Sequence, residues 1–191
     1  EALAALAASR AAGHRAGLLV LATGLGKTLV AAFFWQRLGR PRCLFVAHRV
    51  EILRQAQAAF RRVDPEADLG LVAGEAREDG ARVVMASIQT VGRARHLEQL
   101  APDAFALIVV DEFHHASAAT YRRLIDHFEP EFLLGLTATP ERTDGGDLLA
   151  LCGENLVYRC DLLRGIAENG ERLVPFRYFG VADDLDYANI P

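Results

Sequence analysis

An α/β fold with a mainly parallel sheet and helices on both faces is the architecture this sequence predicts, on three observations. Short, wholly apolar runs alternate with segments of helical character along most of the chain, the pattern of strands buried on both faces. The first of these runs leads directly into a glycine-rich loop and then a helix, the junction from which a parallel crossover starts. The 191 residues, 51% hydrophobic and 24% charged, suffice for one sizeable core.

Each element follows in order. Residues 2–12 are rich in Ala and Leu and predict a helix stopped at Gly13. Leu18-Leu19-Val20-Leu21 predicts a short buried strand, and residues 28–35 continue from Lys27 as a helix. Residues 43–47 predict a strand and 50–63 a helix; 82–86 predict a strand, with a short helix after Ser87. Residues 105–110 predict a continuously apolar strand ending on Asp111-Glu112, followed by a helix at 118–128 and a strand at 132–136. Beyond Pro140 the pattern loosens: 156–158 and 174–179 predict further strands, and the acidic run at 183–186 an exposed segment.

Bulk properties narrow the function classes. A net charge of −4 gives no global basic field for nucleic acid. Local basic groups do occur, at Arg37, Arg40 and Arg42, at His48, Arg49 and Arg54, and at Arg93, Arg95 and His96. The three cysteines, Cys43, Cys152 and Cys160, form no Cys-x-x-Cys pair and read as small buried hydrophobes in a reducing compartment, which predicts a cytoplasmic protein. No apolar run reaches the ~18 residues of a membrane span, so no membrane partner is expected.

Lys27 is the only lysine in the chain; every other Lys/Arg position is Arg. It sits in Ala22-Thr23-Gly24-Leu25-Gly26-Lys27-Thr28, between a strand and a helix. A compact ammonium on a flexible stem fits between the terminal phosphates of a nucleotide where a planar guanidinium does not. Glycines let the backbone point N–H groups at phosphate, and the Thr28 hydroxyl is placed for Mg²⁺. Thr23, Gly24, Leu25, Gly26, Lys27 and Thr28 are therefore the candidate nucleotide-binding residues. Asp111-Glu112 closes a second strand, and in parallel sheets ligands bind at the carboxyl ends of strands. Asp111 suits Mg²⁺ held through water, and Glu112 suits polarising the water that attacks the γ-phosphorus.

The order and type of these segments resemble the superfamily 2 DEAD/DEAH-box helicases. Residues 22–28 look like motif I, and Val110-Asp111-Glu112-Phe113-His114 looks like a DEAH-type motif II with Phe113 where Ala is usual. Gly135-Leu136-Thr137-Ala138-Thr139-Pro140 resembles motif III, Phe45-Val46-Ala47-His48-Arg49 motif Ia, and Met85-Ala86-Ser87-Ile88-Gln89-Thr90 motif Ib. Residues 137–145 are similar to the DNA-acting branch that includes type III restriction motor (res) subunits and excision-repair helicases.

The resemblance implies a RecA-like P-loop NTPase fold, ATP and Mg²⁺ as ligands, and DNA, single- or double-stranded, as track. It gives His114 the task of coupling the nucleotide site to Thr137 and Thr139. His48, Arg49, Ser87, Gln89 and Thr90 become the expected contacts to the nucleic-acid backbone, made without reading sequence.

Residues 1–145 are expected to form the ATP-binding RecA-like lobe, and 146–191 its C-terminal extension leading towards a second RecA-like lobe absent from this chain. The chain is thus expected to be the first motor lobe of a DNA helicase or translocase, inactive or weak alone. Two departures carry expectations of their own: Leu25 alters packing of the loop while leaving its backbone contacts, and the bulk of Phe113 changes how closely motif II approaches motif III. The alternatives are a P-loop ATPase lobe acting on RNA or protein, and a degenerate lobe kept as a binding scaffold.

Overall fold

The structure, a computed structural model, describes residues 1–113, 119–138, 148–167 and 173. Its strands are β1 (Ala16–Leu21), β2 (Cys43–Ala47), β3 (Leu69–Val72), β4 (Val83–Ser87), β5 (Leu107–Asp111), β6 (Phe132–Thr137) and β7 (Leu156–Cys160). They form one seven-stranded sheet in the order β3-β4-β2-β5-β6-β1-β7, and every pairing is parallel.

Parallel neighbours require crossovers, and helices supply them on both faces. Because side chains alternate across a strand, β1 sends Leu19 and Leu21 to one face and Leu18 and Val20 to the other. In β2, Cys43 and Phe45 divide from Leu44 and Val46 in the same way. The first face packs against α1 (Ala2–Ala11), α2 (Lys27–Arg37) and α3 (Val50–Val63). The second packs against α4 (Ile88–Val91), α5 (Ala94–Leu97) and α6 (Ala119–His127).

Helix α3 shows how the sequence builds this packing. Leu53, Ala56 and Phe60 recur on one stripe and are fully buried, while the charged residues of the helix face outward. Phe60 meets Trp35 of α2 at 5.4 Å and Phe45 of β2 at 6.2 Å between ring centroids. The Trp35 indole N–H, taken into the core, donates to the Pro41 carbonyl at 2.8 Å, so burial leaves no orphan donor.

Three differences from the sequence expectations have physical causes. Strand β3 is unannounced by periodicity, because Leu69-Gly70-Leu71-Val72 is short, holds a Gly and is only half-buried at the sheet edge. Its open side is covered by the following turn, where Glu78 accepts the Leu71 N–H and returns its own N–H to the Leu71 carbonyl. Strand β5 begins at Leu107, not Phe105; Phe105 instead packs edge-on against Phe128 with the Arg42 guanidinium over its ring. The short helices α5, α7 (Leu148–Leu151) and α8 (Leu162–Ala167) are too brief to carry a helical period. Past residue 145 the chain rejoins the sheet as β7, alongside β1. The expected strand at 174–179 and the acidic run at 183–186 lie outside the described residues, as do His114 and Thr139.

Candidate functional site

The sheet order lines up the carboxyl ends of its strands as one row. From one side it runs Ser87 (β4), Ala47-His48 (β2), Asp111-Glu112 (β5), Thr137 (β6) and Leu21 with the glycine-rich loop (β1). The nucleotide candidates therefore occupy the β5-β6-β1 half of the row and the nucleic-acid candidates the β4-β2 half.

In the nucleotide half, the loop after β1 turns through two left-handed glycines, Gly24 (φ +91°) and Gly26 (φ +76°). Gly26 is also the N-cap of α2, so the N–H groups of the first helical turn face the loop. A side chain at either glycine would strain this backbone. Leu25 is half-buried and packs against the apolar core. Lys27 Nζ donates to the Leu21 carbonyl at 2.9 Å. Burial lowers the Lys27 pKa, opposed by the charges of Asp111 and Glu112.

Thr23, Gly24, Gly26, Lys27, Thr28, Asp111 and Glu112 line a single cavity of about 380 Å³. Asp111 is 6% exposed. Burial raises its pKa, against the lowering effect of the Glu112 N–H it accepts at 2.9 Å and of Lys27. The carboxylate of Asp111 and the hydroxyl of Thr28, which line one cavity, are hard oxygen donors of the kind Mg²⁺ takes, its shell being completed by phosphate and water. Thr28 and Asp111 thus fit the cation the resemblance implies.

Glu112 has a left-handed backbone, φ +52°, a conformation that costs a non-glycine residue about 1–3 kcal/mol and persists where its surroundings over-determine it. Its Oε2 lies 2.8 Å from His48 Nδ1 at the end of β2.

Phe113 answers the question its bulk raised. It is fully buried, and its ring lies over Gly135 of β6, where an added Cβ would come within 2.7 Å of it. Gly135 pairs with Val110 in register. The large side chain of one motif fits the missing side chain of the other, so motif II and motif III pack closely. Thr137, fully buried, ends β6.

In the nucleic-acid half, Arg49 and Gln89 are exposed and His48 is half-buried, whereas Ser87 and Thr90 are buried. The Ser87 hydroxyl donates to Gln89 Oε1 at 2.5 Å instead of capping α4, of which Ser87 is the N-cap. Arg49 is the N-cap of the 14-residue α3 and makes no side-chain cap bond.

Sequence reasoning overlooked Ile52 and Gln55, which line the same cavity, as does Ala138 of the motif III segment. The sign was present: Ile52 is an apolar residue off the buried stripe of α3, and Gln55 stands three residues on, on the same face. It also overlooked Tyr121 of α6, whose buried hydroxyl has no hydrogen-bond partner among the described residues. Burial and the nearby Glu112 and Asp111 charges push its pKa up. All three cysteines are buried and none is in a disulfide, and burial pushes the Cys152 thiol up to about 12.

The family profile described as type III restriction enzyme, res subunit, matches residues 1–142. IRC3 of Saccharomyces cerevisiae, assigned as an ATP-dependent helicase, is 32% identical over 165 residues, 78% of this chain and 23% of that protein. The DNA 3'-5' helicase XPB of Mycobacterium tuberculosis is 33% identical over 144 residues, 72% of this chain and 26% of that protein. Among solved structures, the Hef helicase domain of Pyrococcus furiosus matches with a TM-score of 0.66 and 26% identity, over 82% of this chain and 37% of that one. The chain thus spans 23% and 26% of the length of the two curated relatives. On the profile match over residues 1–142 and the fold shared with the Hef helicase domain, this chain belongs to the ResIII family, the type III restriction res-subunit type of RecA-like helicase domain.

Proposed function

We propose that this chain is the first motor lobe of an ATP-dependent DNA helicase or translocase, working with a second RecA-like lobe that closes over its strand-end row. The observation that carries the reading is the convergence of Lys27, Thr28, Asp111 and Glu112 on one cavity at the carboxyl ends of β1 and β5. The loop N–H groups and the start of α2 bind phosphate oxygens, and Lys27 exchanges the Leu21 carbonyl for the terminal phosphates. That exchange restores the charge which burial disfavours. Thr28, and Asp111 through water, would hold Mg²⁺, which would neutralise phosphate charge. Glu112 orients and polarises the attacking water. A second cavity of about 380 Å³, bounded by Ala2, Leu25, Val30 and Tyr158 on the other side of the loop, offers room for the nucleoside.

His114 couples this site to Thr137 and Thr139. Arg49, Gln89 and His48 approach the DNA backbone from the ends of β2 and β4, with Ser87 and Thr90 behind them setting the local backbone. Residues 1–145 make the nucleotide-binding core and 146–191 its extension towards the second lobe. A reducing, cytoplasmic setting fits three buried cysteines outside any disulfide. Among the described residues no helix is long and apolar enough to cross a membrane.

The test is steady-state ATP hydrolysis by the two-lobed protein with and without DNA, beside Lys27→Ala. Stimulation by DNA that falls at least ~10²-fold in the variant, the scale for losing one preorganised cationic contact, is expected. Lys27-dependent hydrolysis stimulated by RNA alone, or indifferent to nucleic acid, moves the track elsewhere. No hydrolysis in either protein leaves a scaffold.

A further inference from the structure

Among the described residues, the two halves of the strand-end row meet where β2 ends beside β5. His48, at the end of β2 beside the exposed Arg49, sets its Nδ1 2.8 Å from Oε2 of Glu112, at the end of β5. The two side chains are 24% and 36% exposed, while the His48 Nδ1 atom that faces Glu112 is itself buried. Glu112 reaches it from a left-handed backbone (φ +52°), with its N–H taken by the Asp111 carboxylate. Strained backbone at a reacting group marks a conformation the surroundings impose. The Glu112 oxygen that faces the imidazole is thereby oriented towards the end of β2.

We propose that His48 is a positioning residue that holds Glu112 in a resting orientation, and that nucleic acid arriving at the ends of β2 and β4 draws His48 away and frees Glu112 for the attacking water. The inference rests on the motor reading above and adds to it the element by which the track reports to the chemistry. His48 is adjacent in sequence to Arg49, the N-cap of α3, so a phosphate held at Arg49 acts on the backbone that carries the imidazole. Coupling through a single two-position side chain needs no large movement, only a differential affinity of nucleic acid for the two positions.

The experiment compares the two-lobed protein with its His48→Ala variant, using a poly-dT strand and a blunt duplex as probes. ATP hydrolysis is measured without nucleic acid and at saturating probe, and ATP affinity separately by equilibrium binding of a fluorescent nucleotide. The expected result is a rise in the nucleic-acid-free kcat of about 5-fold or more, the lower end of coupling between sites. ATP affinity should be unchanged, and the saturated rate should change less than the basal one. His48→Gln, whose amide nitrogen can take the place of Nδ1, should recover a stimulation ratio closer to that of the unaltered protein. Should His48→Ala not fold, His48→Leu removes the same nitrogen atoms with the volume kept. A basal rate that falls or stays level, or both rates moving in proportion, overturns the proposal. Its failure is distinct from that of the motor reading: if Lys27→Ala abolishes DNA-stimulated hydrolysis while His48→Ala keeps the original ratio, only the His48 link is lost.

Discussion

The two halves of the strand-end row are built on opposite physical terms. The nucleotide half gathers its charge in a partly dry cavity, where burial lowers the Lys27 pKa and raises that of Asp111. Two glycines and Glu112 there hold left-handed backbone. The nucleic-acid half is wetter and looser: Arg49 and Gln89 stand exposed, and its buried hydroxyl at Ser87 is satisfied locally by Gln89. On the proposed motor reading, the difference follows from the ligands each half would meet. Displacement at phosphorus needs preorganised charge shielded from water, whereas a polymer that must slide past needs shallow contacts of modest strength. His48 and Glu112 join the two halves across the β2–β5 boundary.

Substitutions that cross this division sharpen it, and the largest effect belongs to the dry half. Asp111→Asn should reduce hydrolysis about 10–100-fold, the range for a group that supports a metal through its outer shell, read by steady-state kinetics. The same change should raise Tm in the absence of Mg²⁺ and nucleotide. The sign follows from the raised pKa: the folded carboxyl holds its proton to higher pH than the unfolded one, so folding is penalised above the folded pKa and unpenalised below the unfolded one. The Tm gap between variant and original should therefore be present at neutral pH and close as pH falls through the folded pKa towards the unfolded value. A gap that widens on acidification would contradict a buried, unfavourably charged Asp111.

Gly135→Ala tests the packing that brings motif II onto motif III. A Cβ within 2.7 Å of the Phe113 ring forces a shift in a filled core and should cost about 1–3 kcal/mol, measured by urea denaturation. A neutral result would mean that Phe113 moves freely, and with it the spacing of the two motifs. The smallest effect belongs to the wet half. Arg49→Ala should weaken DNA binding modestly and lower the salt slope by about one phosphate contact, measured by fluorescence anisotropy across salt concentrations. Equal weakening across DNA sequences is expected of a backbone contact, and loss of a sequence preference would contradict it.

Much of this molecule follows from the chain alone. The alternation of apolar runs implied parallel strands covered on both faces, since a strand apolar at every position cannot leave a face in water. A lone lysine between Gly26 and Thr28 and an acidic pair at the end of an apolar run marked the nucleotide half, because each is legible within a few neighbouring residues. Helix α3 was readable to its ends from its 3.6-residue period.

Only the tertiary structure decided what depends on residues distant in the chain. Strand β3 exists because β4 offers it an edge and Glu78 covers its other side. Gly135 and Phe113 explain one another only once β5 and β6 are neighbours. The strand order, which no local pattern encodes, placed Gln55 at the nucleotide cavity and His48 against Glu112. Periodicity reports which way a side chain faces; the ordering of strands, a property of the whole chain's packing, decides what it meets.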